Sequence, residues 1–440
     1  MTAPTQTSRS RARATTGRES VRTAVPKTKA SVPAAARVQA QPEHDGGRMI
    51  AARIMVGKVF TSESSNYFLL LGVTLFLVVF GLVMVLSASS VDSISGDSVF
   101  QTFWTQGVYA VIGIPIMLIA SRMPRSLWAR AAWPALIAGC LLQFLVVATP
   151  LGGGNAQNQN WLAIGPVEFQ PSEVIKLAII LWLGMFISMK WDRLARARYV
   201  LVPVLLVTGT AIALVLAGQD LGTVLIMAGI VLGALFVAGL PLRQLVPVVM
   251  VMGVIAYIFI ITNQSRLERF TGFLHPQDAD PNKEGYQTLQ GMWALASGGV
   301  FGVGLGNSRS KWNWLPAADS DFIFAVIGEE LGLIGAIVVL GLFVALALVL
   351  IRIIRSSDEP FVRVTTAAVM VWLVGQAFVN IAVVLGLAPV LGVPLPFISH
   401  GGTALISSLF AIGVVLSFTR SSSSRPSARD RRRTGRSAAR

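Results

Sequence analysis

Apolar runs of about 20 residues recur along this chain, and nothing else in it limits the possible folds as strongly. A helix needs about 20 apolar residues to cross roughly 30 Å of hydrocarbon. Such runs fall at 67–88, 102–120, 132–149, 172–189, 199–217, 221–240, 243–262, 322–351, 364–387 and 401–419. The fifth and sixth are parted only by Gly218-Gln219-Asp220. The eighth is long enough to begin outside the hydrocarbon or to contain a break at Gly328. Composition agrees, because 13% of the 440 residues are charged, against about 25% in soluble proteins. The expectation is an all-α integral membrane protein with about ten transmembrane helices.

Charge tests that count. With the N-terminus inside, the inner segments carry Arg122, Arg125 and Arg130, then Lys190, Arg193, Arg196 and Arg198, then Arg243, then Arg352, Arg355 and Arg363. The opposite loops at 89–101, 150–171, 218–220 and 388–400 hold no Lys or Arg. This is the positive-inside pattern at each crossing, and nine or eleven spans would scramble it. Both termini are expected in the cytoplasm, with 263–321 as one long, ordered extracytoplasmic loop. That loop breaks the charge bias with Arg266, Arg269, Lys283, Arg309 and Lys311, a pattern that fits either an anionic ligand or ordinary solvated charge.

The net charge of +15 lies almost wholly in the tails, with +7 in residues 1–66, +7 in 420–440 and +1 between them. Both tails are rich in Ser, Ala, Pro and Arg and cannot bury enough apolar surface to fold. They read as disordered basic cytoplasmic tails drawn to anionic membrane lipids, with no nucleic acid as partner. No short apolar segment near residue 20 marks a cleavable signal peptide. Cys140 is the one cysteine, so no intrachain disulfide can form. His44, His275 and His400 are scattered, and no metal-binding cluster or nucleotide-binding fingerprint is present.

Ionisable residues in apolar runs are costly and are functional candidates by default. Glu173 and Lys176 share one helix face at i,i+3, as a functional pair or a simple interfacial anchor. Asp220 opens the sixth run, where the helix dipole alone would favour an acid. Glu329 and Glu330 lie inside the eighth and should face a cavity or a partner. Asn380 reads as a bond to a neighbouring helix. These features alone do not separate a transporter from an intramembrane enzyme.

The order of the motifs narrows the choice. They run Asn160-Trp161, Gln170-Pro171-Ser172-Glu173 with Lys176, Asp220-Leu221-Gly222-Thr223, and Asp280-Pro281 with Gly285-Tyr286-Gln287 and Gln290. Then come Gly304-Leu305-Gly306-Asn307, Leu315-Pro316, Asp321-Phe322-Ile323-Phe324, Gly328-Glu329-Glu330-Leu331-Gly332 and Pro396-Phe397-Ile398-Ser399-His400-Gly401-Gly402. In this order and spacing the chain resembles the SEDS (shape, elongation, division and sporulation) family across residues 67–419. It departs from the family pattern at Asn160, where Arg is common, and at His400, where Tyr is common.

The resemblance implies an inverting peptidoglycan glycosyltransferase that polymerises lipid II into β-1,4 strands at the outer face of the bacterial cytoplasmic membrane. Inversion by single displacement needs one base and no covalent intermediate, as in inverting glycosidases. The resemblance makes Asp280 that catalytic base; a positioned base contributes about 10²–10⁴-fold in rate. By the same resemblance Trp161, Gln170, Glu173, Lys176, Asp220, Tyr286, Gln287, Gln290, Glu330, Ser399, Gly401 and Gly402 are substrate-binding candidates. The leaving pyrophosphate needs charge stabilisation, for which Lys176, Arg266, Arg269, Lys283, Arg309 and Lys311 are candidates. No cofactor is required, although a divalent cation could share the task. The basic N-terminal tail and the final motif favour the division branch at the septum. Its implied partners are a class B penicillin-binding protein transpeptidase and other divisome membrane proteins. The elongation branch and a lipid II flippase stand as alternatives.

Overall fold

The apolar runs fold as helices, as chain with no water to bond to must. The computed structural model describes residues 64–89, 101–149, 152–153, 160–164, 167–194, 196, 198–275, 286–312 and 315–420. Both basic tails, apart from residues 64–66 and 420, as well as Asp280 and Lys283, lie outside the described residues. The helices are α1 Ser65–Ala88, α2 Gln101–Arg122, α3 Arg125–Ala148, α4 Pro171–Met189, α5 Arg198–Ala217 and α6 Leu221–Val237. They continue as α7 Leu242–Ile261, α8 Gln264–Leu274, α9 Tyr286–Gly298, α10 Ile323–Ser356, α11 Pro360–Val384 and α12 Gly402–Thr419. Among the described residues nine helices are long and apolar enough to cross a membrane, and α6, at 17 residues, is a shorter apolar helix.

Three departures from the sequence reading have physical causes. The third run starts earlier, at Arg125, because Arg125 and Arg130 ride on the first turns of α3 rather than in a loop; long cationic side chains reach back to the membrane surface. The all-α expectation gains a small antiparallel sheet between α3 and α4, ordered β1 Gly152–Gly153, β2 Trp161–Ile164, β3 Val167–Phe169. The break in α10 falls at Gly332, with φ 67 and ψ −165, rather than at Gly328. A Cβ on Gly332 would lie 2.4 Å from the Val300 carbonyl oxygen, whereas one on Gly328 would strike Leu295 of α9. Gly328 therefore serves close helix packing, and Gly332 is where the helix opens.

The opened backbone is resatisfied by the chain that follows α9. Leu333 N donates to Gly299 O and Ile334 N to Val300 O, while Val303 N and Gly304 N donate to Glu329 O and Glu330 O. Broken helices at membrane depth are tolerated on this condition. Around this feature α2 packs on α12, α3 on α4, α9 on α10 and α4 on α11. α12 is mostly buried, and α7 turns Met250 and Tyr257 outward, as suits a helix bathed in lipid.

Candidate functional site

The positions that converge at the cation-poor end of the bundle are 161, 170–176, 219–223, 269, 287, 317–321 and 390–404. Local sequence sets each one. α4 starts with Pro171 in its first turn, where the fixed φ and missing N–H cost nothing, and this brings Glu173 and Lys176 inward. The Lys176 ammonium lies 2.6 Å from Glu173 Oε1, with both side chains buried. Glu173 Oε2 also accepts from Ser407 Oγ of α12 at 3.0 Å. Lys176 Nζ donates to Gln376 Oε1 at 3.4 Å and stands 5.0 Å over the Trp372 ring. Gln376 follows a π-helical segment of α11, Val371–Gly375, accepts from Trp372 Nε1 at 3.1 Å and donates to Pro394 O at 2.8 Å. A buried charge pair is tolerable when its remaining polar groups are bonded in this way.

Asp220 caps α6, its Oδ1 accepting from Thr223 N at 2.8 Å. Its Oδ2 accepts from Gln170 Nε2 at 3.4 Å. Burial pushes the Asp220 carboxyl up, the Thr223 bonds and Lys176 oppose that, and Glu173 adds to it. Arg266 of α8 donates to both Gln219 O and Gln219 Oε1, at 2.8 and 2.9 Å, and lies over the Phe259 ring. This ties α8 to the turn that presents Asp220.

These groups surround a cavity of 380 Å³ lined by Trp161, Gln170, Glu173, Lys176, Asp220, Arg269, Gln287, Asp321, Gly392, His400 and Gly401 among others. A second polar chamber of 260 Å³ shares Asp220, Arg269, Val390 and Gly392 with it and adds Arg266, Asn263 and Ile260. At Leu221 that chamber meets an apolar groove of 850 Å³ between α5, α6 and α7. The sequence-derived candidates Trp161, Gln170, Glu173, Lys176, Asp220, Gln287 and Gly401 thus meet in one cavity.

The others stand elsewhere. Tyr286 and Gln290 flank Gln287 on α9, with Gln290 buried. Ser399 Oγ accepts from Leu395 N and donates to Ser320 O, so it fastens the wall behind the cavity. Gly402 packs against Tyr109 of α2. Asn160 accepts from Gln143 Nε2 at 2.9 Å, on the side of α3. Asn380, read from the sequence as a bond to a neighbouring helix, instead donates to carbonyls of the segments between helices, Asp321 O and Val393 O, both at 2.8 Å. Asp321 lines the cavity although the sequence marked it only as part of a motif; its position just before an apolar run was the available signal. Gln376 carried no signal.

Glu330 does not line the cavity. Glu330 Oε2 accepts from Ser87 Oγ, and Oε1 from Ser308 N and Lys311 Nζ. Lys311 Nζ also donates to Ser87 O at 3.1 Å and Gly306 O at 2.7 Å. Glu329 accepts from Ser308 Oγ, Arg309 N and Ser310 N. Lys311 is buried within this closed cluster, and Arg309 is exposed outside the cavity. Of the candidate cations, Lys176 and Arg269 line the cavity, and Arg266 lines the adjoining chamber. Among the described residues no group of three His, Cys, Asp or Glu side chains is arranged to hold a metal.

Residues 67–424 match the FtsW/RodA/SpoVE family model, described as cell cycle protein. A protein of Mycobacterium tuberculosis named probable peptidoglycan glycosyltransferase FtsW is 37% identical over 81% of this chain and 68% of its own length. Stage V sporulation protein E of Bacillus subtilis is 35% identical over 82% of this chain and 98% of its own. A solved chain from work on the structural coordination of polymerization and crosslinking by a peptidoglycan synthase complex superposes with TM-score 0.64 at 26% identity. It covers 80% of this chain and 96% of that one. The rod shape determining protein RodA of Thermus thermophilus superposes with TM-score 0.59 at 25% identity, over 81% and 97% of the two chains.

Proposed function

Because the chain belongs to the FtsW/RodA/SpoVE family of cell cycle proteins, we propose that it is a peptidoglycan glycosyltransferase that polymerises lipid II. The observation that carries the reading is the adjacency of an apolar groove, a polar chamber and a charged cavity, the first two sharing Leu221 and the last two Asp220, Arg269, Val390 and Gly392. Lipid II has the same order of chemistry: an isoprenoid chain, a pyrophosphate and a disaccharide. The groove suits the chain, Arg266 and Arg269 the pyrophosphate, and the cavity the sugars.

The reaction joins an acceptor GlcNAc 4-hydroxyl to the anomeric carbon of the growing glycan and breaks that carbon's bond to pyrophosphate. Asp280, between α8 and α9 in the sequence, takes the hydroxyl proton. The pyrophosphate leaves with the bonding electron pair and needs no proton, only cations to hold its charge. Arg266 and Arg269, which line the polar chamber, are those cations. The α configuration of the donor becomes β in the product, so one displacement suffices.

The physiological setting is septal wall synthesis in cell division at the cytoplasmic membrane. The partners there are a class B penicillin-binding protein and other divisome membrane proteins. The test is lipid II polymerisation by the protein co-purified with its transpeptidase, crosslinking blocked, wild type against Asp280→Ala at equal folded amounts. Glycan ladders from the wild type and none from the variant are expected. Equal ladders would remove Asp280 from the mechanism. No ladders from either, with headgroup translocation in vesicles intact, would replace the polymerase reading with a flippase.

A further inference from the structure

Asp321 is the cavity acid whose carboxylate has no hydrogen-bond or ion-pair partner among the described residues. The other acids there are engaged: Glu173 by Lys176 and Ser407, Asp220 by Thr223 and Gln170, and nearby Asp319 by His400 at 3.5 Å. Asp321 is not loosely placed. Its carbonyl accepts from Asn380 Nδ2 at 2.8 Å, and the next residue's N–H bonds back to Ala317 O. Its Oδ2 lies 3.8 Å from where a Cβ on Gly392 would stand, on the wall common to both chambers. A carboxylate withdrawn from water without donors is costly, and one on a rigid backbone facing a cavity invites a ligand that supplies them.

We propose that Asp321 is a sugar-binding residue, its carboxylate accepting hydrogen bonds from pyranose hydroxyls that enter the cavity. The proposal rests on the reading of the substrate as a lipid-linked sugar. Neighbouring hydroxyls on a sugar ring match the two acceptor oxygens of one carboxylate, whereas the pyrophosphate offers no donor and is repelled by it. Burial pushes Asp321 up to about 6, a shift opposed by Arg269 and reinforced by Asp220 and Asp319. Glu173, Lys176 and His400 are the other charged or titratable groups lining the cavity. At pH 7.5 the group is charged and binds hydroxyls strongly; at pH 5 it is largely neutral.

The experiment measures binding to the purified full-length protein in nanodiscs of two ligands: lipid II, and undecaprenyl pyrophosphate, which lacks the sugars. Asp321→Asn should weaken lipid II about tenfold at pH 7.5, the scale of one charge-assisted hydrogen bond. It should leave undecaprenyl pyrophosphate unchanged or tighter, and the lipid II gap should narrow at pH 5. Asp321→Glu, which keeps the charge and moves it by one methylene, should lose part of the lipid II affinity and none of the undecaprenyl pyrophosphate affinity. Unchanged lipid II binding, or an equal loss of both ligands, would overturn the proposal. Turnover is not needed for either readout. A protein that binds the sugars at Asp321 yet makes no glycan would sink the proposed polymerase and leave this inference standing.

Discussion

Glu330 and Asp321 belong to α10 and the turn that leads into it, yet their surroundings are opposite. Glu330 is saturated: a hydroxyl, a backbone N–H and an ammonium close around it, and that ammonium is itself filled by two carbonyls. Asp321 faces a cavity and has only its backbone held. Both are acids beside apolar sequence, so the bilayer penalty alone would mark both as functional. The difference lies in what each carboxylate still lacks. A filled set of partners locks the opened helix to the chain after α9, whereas an unfilled set leaves work for a ligand. Burial therefore locates candidates, and the inventory of partners sorts them.

That contrast can be broken in three ways. The largest effect should come from Lys311→Met, which leaves Glu330 buried with its cation gone. Loss of one partner of a buried pair costs about 3–5 kcal/mol, so thermal unfolding in detergent should show a large drop in Tm. Unchanged Tm would mean that the cluster does not hold the opened helix.

Asp220→Asn comes next. Asn caps a helix about as well as Asp, so stability should move by less than about 0.5 kcal/mol. Glycan synthesis should nevertheless fall about tenfold or more, because a charge-assisted contact is lost. Equal activity would reduce Asp220 to a cap.

The smallest effect has the opposite sign. Asp321 is pushed up to about 6, so the folded protein holds that proton more tightly than the unfolded chain does. Its ionisation then disfavours the fold as pH rises from about 4 through 6 and does so fully above that. Asp321→Asn should therefore raise Tm slightly at pH 7.5 and not at pH 4. A Tm lowered by the same amount at both pH values would mean that Asp321 is structural.

Much of this was legible before the structure. The apolar runs and the cation-poor loops define the helices and the end at which the site lies, since hydrocarbon thickness and the positive-inside bias act on local composition. The motif order collected Trp161, Gln170, Glu173, Lys176, Asp220, Gln287 and Gly401, which meet in one cavity. Glu330 lies outside that cavity, and its partners, Ser87 and Lys311, come from distant segments that local sequence does not pair. Gly328 and Gly332 flank the same two glutamates and look alike on paper; only the neighbours, Leu295 for one and Val300 for the other, tell them apart. Gln376 was invisible because its role depends on three contacts assembled by folding.

The 17 residues of α6 also have a consequence for the membrane around the protein. At about 1.5 Å per residue the helix spans about 25 Å, short of a typical hydrocarbon core by about 5 Å. A helix of that length leaves its ends, the corner at Gly218-Gln219-Asp220 and the turn at Ala238, closer together than the two faces of such a core. Mismatch of this kind thins or tilts the surrounding bilayer at a modest cost per ångström. Acyl-chain length in the host membrane therefore bears on how α6 and its Gly218-Gln219-Asp220 corner sit in the bilayer.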